Sequence, residues 1–71
     1  MVTEAEAIEI ARRHVTSRQG ADALNERDAS AGREDNGWHV WFPWADPNML
    51  GGEPHVRIDD NGAIVEFYST Q

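Results

Sequence analysis

Apolar positions recur at helical spacing at the start of the chain and at strand spacing in its second half. Placed at about 100° intervals, Ala7, Ile8, Ile10, Ala11, His14 and Val15 share one arc of about 160°, while Glu9, Arg12 and Arg13 take the remainder and Glu4 and Arg18 enter the arc only at the two ends of the segment. Thr3, with Glu6 three residues on, has the reciprocal chemistry of a capping box, and early carboxylates suit the positive end of a helix. Gly20 is the natural stop, because a left-handed residue costs glycine little. The pattern predicts one amphipathic helix over residues 4–19.

From Trp38 the period becomes two. Trp38, Val40, Phe42 and Trp44 point one way and His39 and Trp41 the other, with Pro43 near the end, which predicts a strand over 38–44. A loop over 46–54, with Pro47 and Gly51-Gly52, leads to a second strand over 55–59 that places Val56 and Ile58 on one face. Asp60-Asn61-Gly62 reads as a tight hairpin, since Asn-Gly supplies the positive φ values such a turn uses, and the last strand covers 63–69. Residues 20–37 are polar and weakly structured. Residues 21–29 fit a short helix, an edge strand or an irregular loop; related small folds place an edge strand over about 24–29. Residues 30–36 carry turn chemistry throughout and are expected to be mobile.

These elements predict an α+β fold in a single domain over residues 1–71. One N-terminal helix packs on a three- to four-stranded antiparallel sheet, giving two layers in an α-β-β-β meander. The charge on Glu66 turns its row of the last strand, Ile64, Glu66 and Tyr68, away from the core. The expected core is therefore Trp38, Val40, Phe42, Val56, Ile58, Val65 and Phe67, receiving Ile8, Ala11 and Val15 from the helix. One helix covers one sheet face only. The other would show His39, Trp41, His55, Arg57, Ile64, Glu66 and Tyr68, and an uncovered patch with an indole, a phenol and an isoleucine is the kind of surface that contacts another molecule, with Trp, Tyr and Arg the types enriched at protein interface hot spots. The plainer alternative is that residues 20–37 fold back over this face, or that Trp41 packs against Arg57.

Charge narrows the choice of partner. Thirteen acids against six bases leave a formal net charge of −7, the wrong sign for nucleic acid or an anionic membrane. The acidity serves solubility or, more sharply, a preference for a basic protein partner; a second copy of the chain is the other occupant the open face would accept. All six bases are arginine, which closes Schiff-base and P-loop lysine chemistry. Arginine without lysine, beside many alanines, glycines and aspartates, is also the usage of a GC-rich genome, and a high-GC bacterial source is expected. The absence of cysteine removes disulfides, cysteine zinc sites and thiol catalysis. No apolar run approaches the roughly 18 residues of a membrane span, and no charged-then-apolar start marks a signal peptide, so the cytoplasm is the expected address.

Three histidines raise the question of catalysis or metal binding. His14 lies within the helix's apolar arc and reads as a core or boundary residue. His39 and His55 can meet across neighbouring strands near Glu66 or Asp59, a donor set compatible in type with zinc, but no HExxH-like spacing accompanies it. Asp59-Asp60 lacks the spacing and closing glutamate of a calcium loop. Ser17, Ser30 and Ser69 have no nucleophile-elbow context, and Gly51-Gly52 has no strand-to-helix setting to cradle phosphate. A small two-layer domain rarely builds a cleft deep enough to shift a carboxylate pKa. The expectation is a protein without catalytic activity, cofactor or metal; the alternative is a small metal- or ligand-binding protein using His39, His55 and nearby carboxylates.

The stretch Gly37-Trp38-His39-Val40, followed by Gly51-Gly52-Glu53-Pro54-His55-Val56-Arg57-Ile58-Asp59 and then Asn61-Gly62-Ala63-Ile64-Val65, resembles small bacterial domains of the PepSY-like and nuclear-transport-factor-like (cystatin-like) immunity groups. In these an N-terminal helix with alternating alanines precedes a Trp-x-Val strand, a Gly-Gly-x-Pro loop, a strand ending in Ile-Asp and a glycine that opens the last strand. Residues 3–69 can be laid along that pattern. The resemblance implies a noncatalytic protein that binds another protein, such as the antidote to a secreted toxin or a small inhibitory domain, and acidity would suit a basic nuclease toxin. It carries over no catalytic residue.

Overall fold

Reciprocal capping starts the helix where the sequence places it. The Thr3 hydroxyl accepts from the Glu6 amide at 3.2 Å, and the Thr3 amide donates to the Glu6 carboxylate at 3.0 Å. The computed structural model, which describes residues 1–49 and 51–70, has α1 over Glu4–Gln19, followed by β1 Ser30–Glu34, β2 Gly37–Trp41, β3 Pro54–Asp59 and β4 Ile64–Ser69. The strands form one antiparallel sheet in the order β1-β2-β3-β4. The helix crosses β1, β2 and β3 on one side, so the chain is the two-layer α+β meander that its periodicity predicts. No helix among the described residues is long and apolar enough to cross a membrane.

Ala7, Ala11 and Val15 of α1 are fully buried against Val40, Phe42, Val56 and Ile58. Two alanines on the contact stripe let the helix backbone approach the sheet closely, and β-branched residues fill the space between the layers. Trp38, Phe67, Ile8 and Ile10 pack around this centre half-exposed, and the Trp38 indole N–H donates to the Val2 carbonyl at 2.8 Å. His14 sits at the same boundary, edge-on to Phe67 with ring centroids 4.9 Å apart. Gly37 is buried where β2 and β3 approach: a Cβ there would lie 1.8 Å from the Ile58 carbonyl oxygen, so no other residue fits.

Three expectations are corrected. The edge strand lies at 30–34, not 24–29, and the polar stretch extends the sheet instead of covering its open face. Asp35 and Asn36 form a two-residue connection that folds β1 back on β2 with Ala31 opposite Val40. Arg33, on the helix side, lies over the Trp38 ring and is paired with Asp60 at 2.8 Å, so a strand that reads as polar still packs on the core side. Residues 21–26 form turns, and Arg27 meets Trp44 in an isolated bridge.

The second correction concerns β2, which ends at Trp41 and not at residue 44. Beyond it Pro43 has no amide to donate, and Trp44 leaves the ladder to lie beneath the Arg27 guanidinium, 3.7 Å from its ring centroid.

The third concerns the start of β4. The connection is longer than a tight two-residue hairpin: among residues 60–62 Gly62 alone has positive φ, at 86°. The Asp59 carboxylate accepts from the Asn61 and Ala63 amides, each at 2.9 Å. A register shift at Arg57/Ile58 then sets Ile64 opposite Ile58 on the helix side and leaves Val65 60% exposed. Ile64 therefore packs on the core and is not part of the open face, and Val65 is not part of the core. An extra residue reverses the facing of every side chain before it, and here the reversal touches only the first two positions of the strand.

Candidate functional site on the open sheet face

Strand alternation sends every second residue of β1–β4 away from the helix, and the register arranges these side chains in rows across the sheet. One row runs Ser30, Trp41, His55, Tyr68; the next runs Gly32, His39, Arg57, Glu66. The first is aromatic and the second is charged towards β4. Among the described residues no helix or strand packs on this side.

The aromatic row is stacked. His55 lies parallel to Tyr68, with centroids 4.8 Å apart and 6° between planes, and at 14° to Trp41 across 6.3 Å. Gly32 opposes His39 in the ladder, and a Cβ there would be 3.7 Å from the edge of the Trp41 indole. Trp41 thus rests beside β1 and His39. His39 joins from the second row: its Nε2 is 2.8 Å from His55 Nδ1 and 3.5 Å from the Tyr68 hydroxyl. One of the two rings must donate in the shorter contact and the other accept. The second nitrogen of His55, Nε2, is buried without a hydrogen-bond partner, 3.4 Å from a Glu53 carboxylate oxygen.

Charge is arranged as a cross-strand chain. Arg57 donates to Glu34 at 3.0 Å and to Glu66 at 3.3 Å, and these two carboxylates raise the guanidinium pKa above its ordinary value. Partial burial holds the His39 pKa below the usual histidine value. The neighbouring His55 ring and Arg57 push the same way, against the pull of Glu34 and Glu66. One arginine faces several carboxylates, so the rim is negative. Beside Arg57 a shallow depression of about 560 Å³ opens to solvent, lined by Glu34, Asp35, Asp59 and Val65 among others. Two of its carboxylates are committed, Glu34 to Arg57 and Asp59 to the turn amides. No group of three or more His, Asp or Glu side chains among the described residues is placed to hold a metal ion.

Of the expected surface residues, His39, Trp41, His55 and Tyr68 meet in one cluster, Arg57 and Glu66 form an ion pair beside it, and Ile64 lies on the opposite side. Sequence reasoning missed Gly32 and Glu34, which complete the face from β1, and Glu53 behind His55. A signal for β1 was present: Asp35-Asn36-Gly37 repeats the Asp-Asn-Gly triplet of residues 60–62, directly before a strand. Arg27 was missed as well. It donates to the Phe42 and Gly52 carbonyls, each at 2.9 Å, and ties residues 21–29 to the end of the sheet. No family model matches this chain, and no curated protein or solved structure matches it.

Proposed function

We propose that this chain is a noncatalytic interaction module that binds a basic protein through its open sheet face. The observation that carries the reading is the aromatic row Trp41–His55–Tyr68, with Glu34, Glu53 and Glu66 near it, on a side that no helix or strand among the described residues covers. Aromatic side chains supply the desolvated centre of a protein interface, and carboxylates around them select a cationic partner. A net charge of −7 favours such a partner over a second copy of the chain. The resemblance to PepSY-like and nuclear-transport-factor-like immunity domains points the same way, to an antidote or inhibitor working in the cytoplasm against a basic toxin.

The test is an NMR titration of the labelled chain with basic nuclease domains, beside sedimentation equilibrium of the chain alone. The expected result is a monomer whose shifts on binding fall on β2–β4 residues of the open face and vanish in Trp41→Ala. A dimer dissociated by Trp41→Ala would assign the face to self-association, and shifts confined to α1 would reject the reading.

A further inference from the structure

Both ladders of the open face run to β4 and stop there. The charged one passes from Arg57 on β3 to Glu66 on β4, where Glu66 is half-exposed and shares Arg57 with Glu34. The aromatic one passes from His55 to Tyr68, which is 38% exposed. β4 is an outer strand of the sheet, so one edge of its backbone has no neighbouring strand among the described residues. Edge strands are usually blunted by lysine, proline or a bulge. Among the described residues β4 carries two such devices, the register shift near Val65 and the charge of Glu66, and Glu66–Ser69 remain regular ladder with neither lysine nor proline.

We infer that the β4 edge takes up an extended basic segment of the partner as a fifth, antiparallel strand. This rests on the reading of a basic partner given above and adds where and in what form the contact is made. The neighbour on the other side of β4 gives the pattern. In β3, His55, Val56 and Arg57 stand opposite Tyr68, Phe67 and Glu66. A strand added at the outer edge meets the same three side chains in the same order, so it places an aromatic residue on Tyr68, an aliphatic one beside Phe67 and a cation on Glu66. A second copy satisfies this poorly. Pairing β4 with itself around Phe67 sets Glu66 opposite Tyr68 and brings no cation.

The probe is a capped peptide, Thr-Thr-Tyr-Val-Arg-Val-Thr, titrated into the labelled chain. Its amide shifts and exchange protection should appear on Glu66–Ser69. N-methylating the alternate amides that face β4 should weaken binding about tenfold or more, whereas methylating the other set should not, because only the first set carries the ladder. Glu66→Arg should weaken the arginine peptide about threefold or more and favour a glutamate version instead. Equal binding of both methylated peptides, with shifts on Trp41 and His39, would overturn the edge and leave the open-face reading standing. The absence of shifts at millimolar peptide would also overturn the edge, and the nuclease titration then judges the open-face reading separately. A dimer of the chain with protected β4 amides would overturn it as well, by giving the edge to a second copy.

Discussion

His39 and His55 lie diagonally across β2 and β3 with Nε2 and Nδ1 2.8 Å apart, so at least one ring must be neutral for the contact to hold. They tie the charged row to the aromatic row. The His55 side chain is only 13% exposed although it belongs to the uncovered face, because Trp41 and Tyr68 flank it.

This contact gives stability a direction with pH. Burial first, and then the His55 ring, lower the His39 pKa in the folded chain, while the unfolded chain keeps the ordinary value of about 6.5. Below that value the unfolded state binds the extra proton first, so stability falls as pH drops from about 6.5 towards the folded pKa. Thermal melts between pH 7.5 and 5 should show this loss, and His39→Gln should reduce it. An unchanged slope in the variant would remove His39 as its source.

Phe42 and Trp41 separate core from surface. Phe42 is 1% exposed at the centre of the core, and Phe42→Ala should cost about 3–5 kcal/mol, most of the stability of a domain this small. Trp41 is half-buried among histidines, and Trp41→Ala should cost less than about 1.5 kcal/mol, the range of aromatic pair interactions. Urea unfolding of the two variants measures the difference; equal losses would mean that Trp41 is a core residue.

The register shift before Val65 is tested by a pair of neighbouring substitutions. Ile64→Asp places a carboxylate against the core and should cost about 2 kcal/mol or more. Val65→Asp changes a side chain that is 60% exposed and should stay within about 0.5 kcal/mol of wild type. The opposite order in denaturant midpoints would restore the simple alternation and place Ile64 on the open face.

Arg27 holds the irregular segment by geometry as well as charge. Its guanidinium fork reaches two carbonyls on different segments while lying on Trp44, and a lysine ammonium cannot reproduce that arrangement. Arg27→Lys should cost about 1–2 kcal/mol, and hydrogen exchange should quicken at the Asp28 and Ala45 amides, which bond across the same joint. Unchanged exchange at both amides would show that the joint does not depend on the fork.

Much of this architecture is legible before any coordinates. The bounds of α1 follow from Thr3, Glu6 and Gly20, because helix capping is chemistry between residues close in sequence. Val40, Phe42, Val56 and Ile58 are identified as core by alternation alone, because strand geometry sends neighbours to opposite faces whatever the fold. The same rule places His39, Trp41, His55, Arg57, Glu66 and Tyr68 together on the side opposite the helix.

Tertiary structure decided what depends on residues distant in sequence. β1 has little strand pattern of its own; it exists because β2 offers it a ladder and because Arg33 finds Trp38 and Asp60. Ile64 and Val65 exchange faces because the Asp59 carboxylate shapes the turn and shifts the register, which no count of alternating residues contains. The meeting of His39 with His55, and of Arg57 with both Glu34 and Glu66, likewise depends on register across three strand pairs. Local sequence sets which way a side chain points, and the pairing of distant strands sets what it meets there.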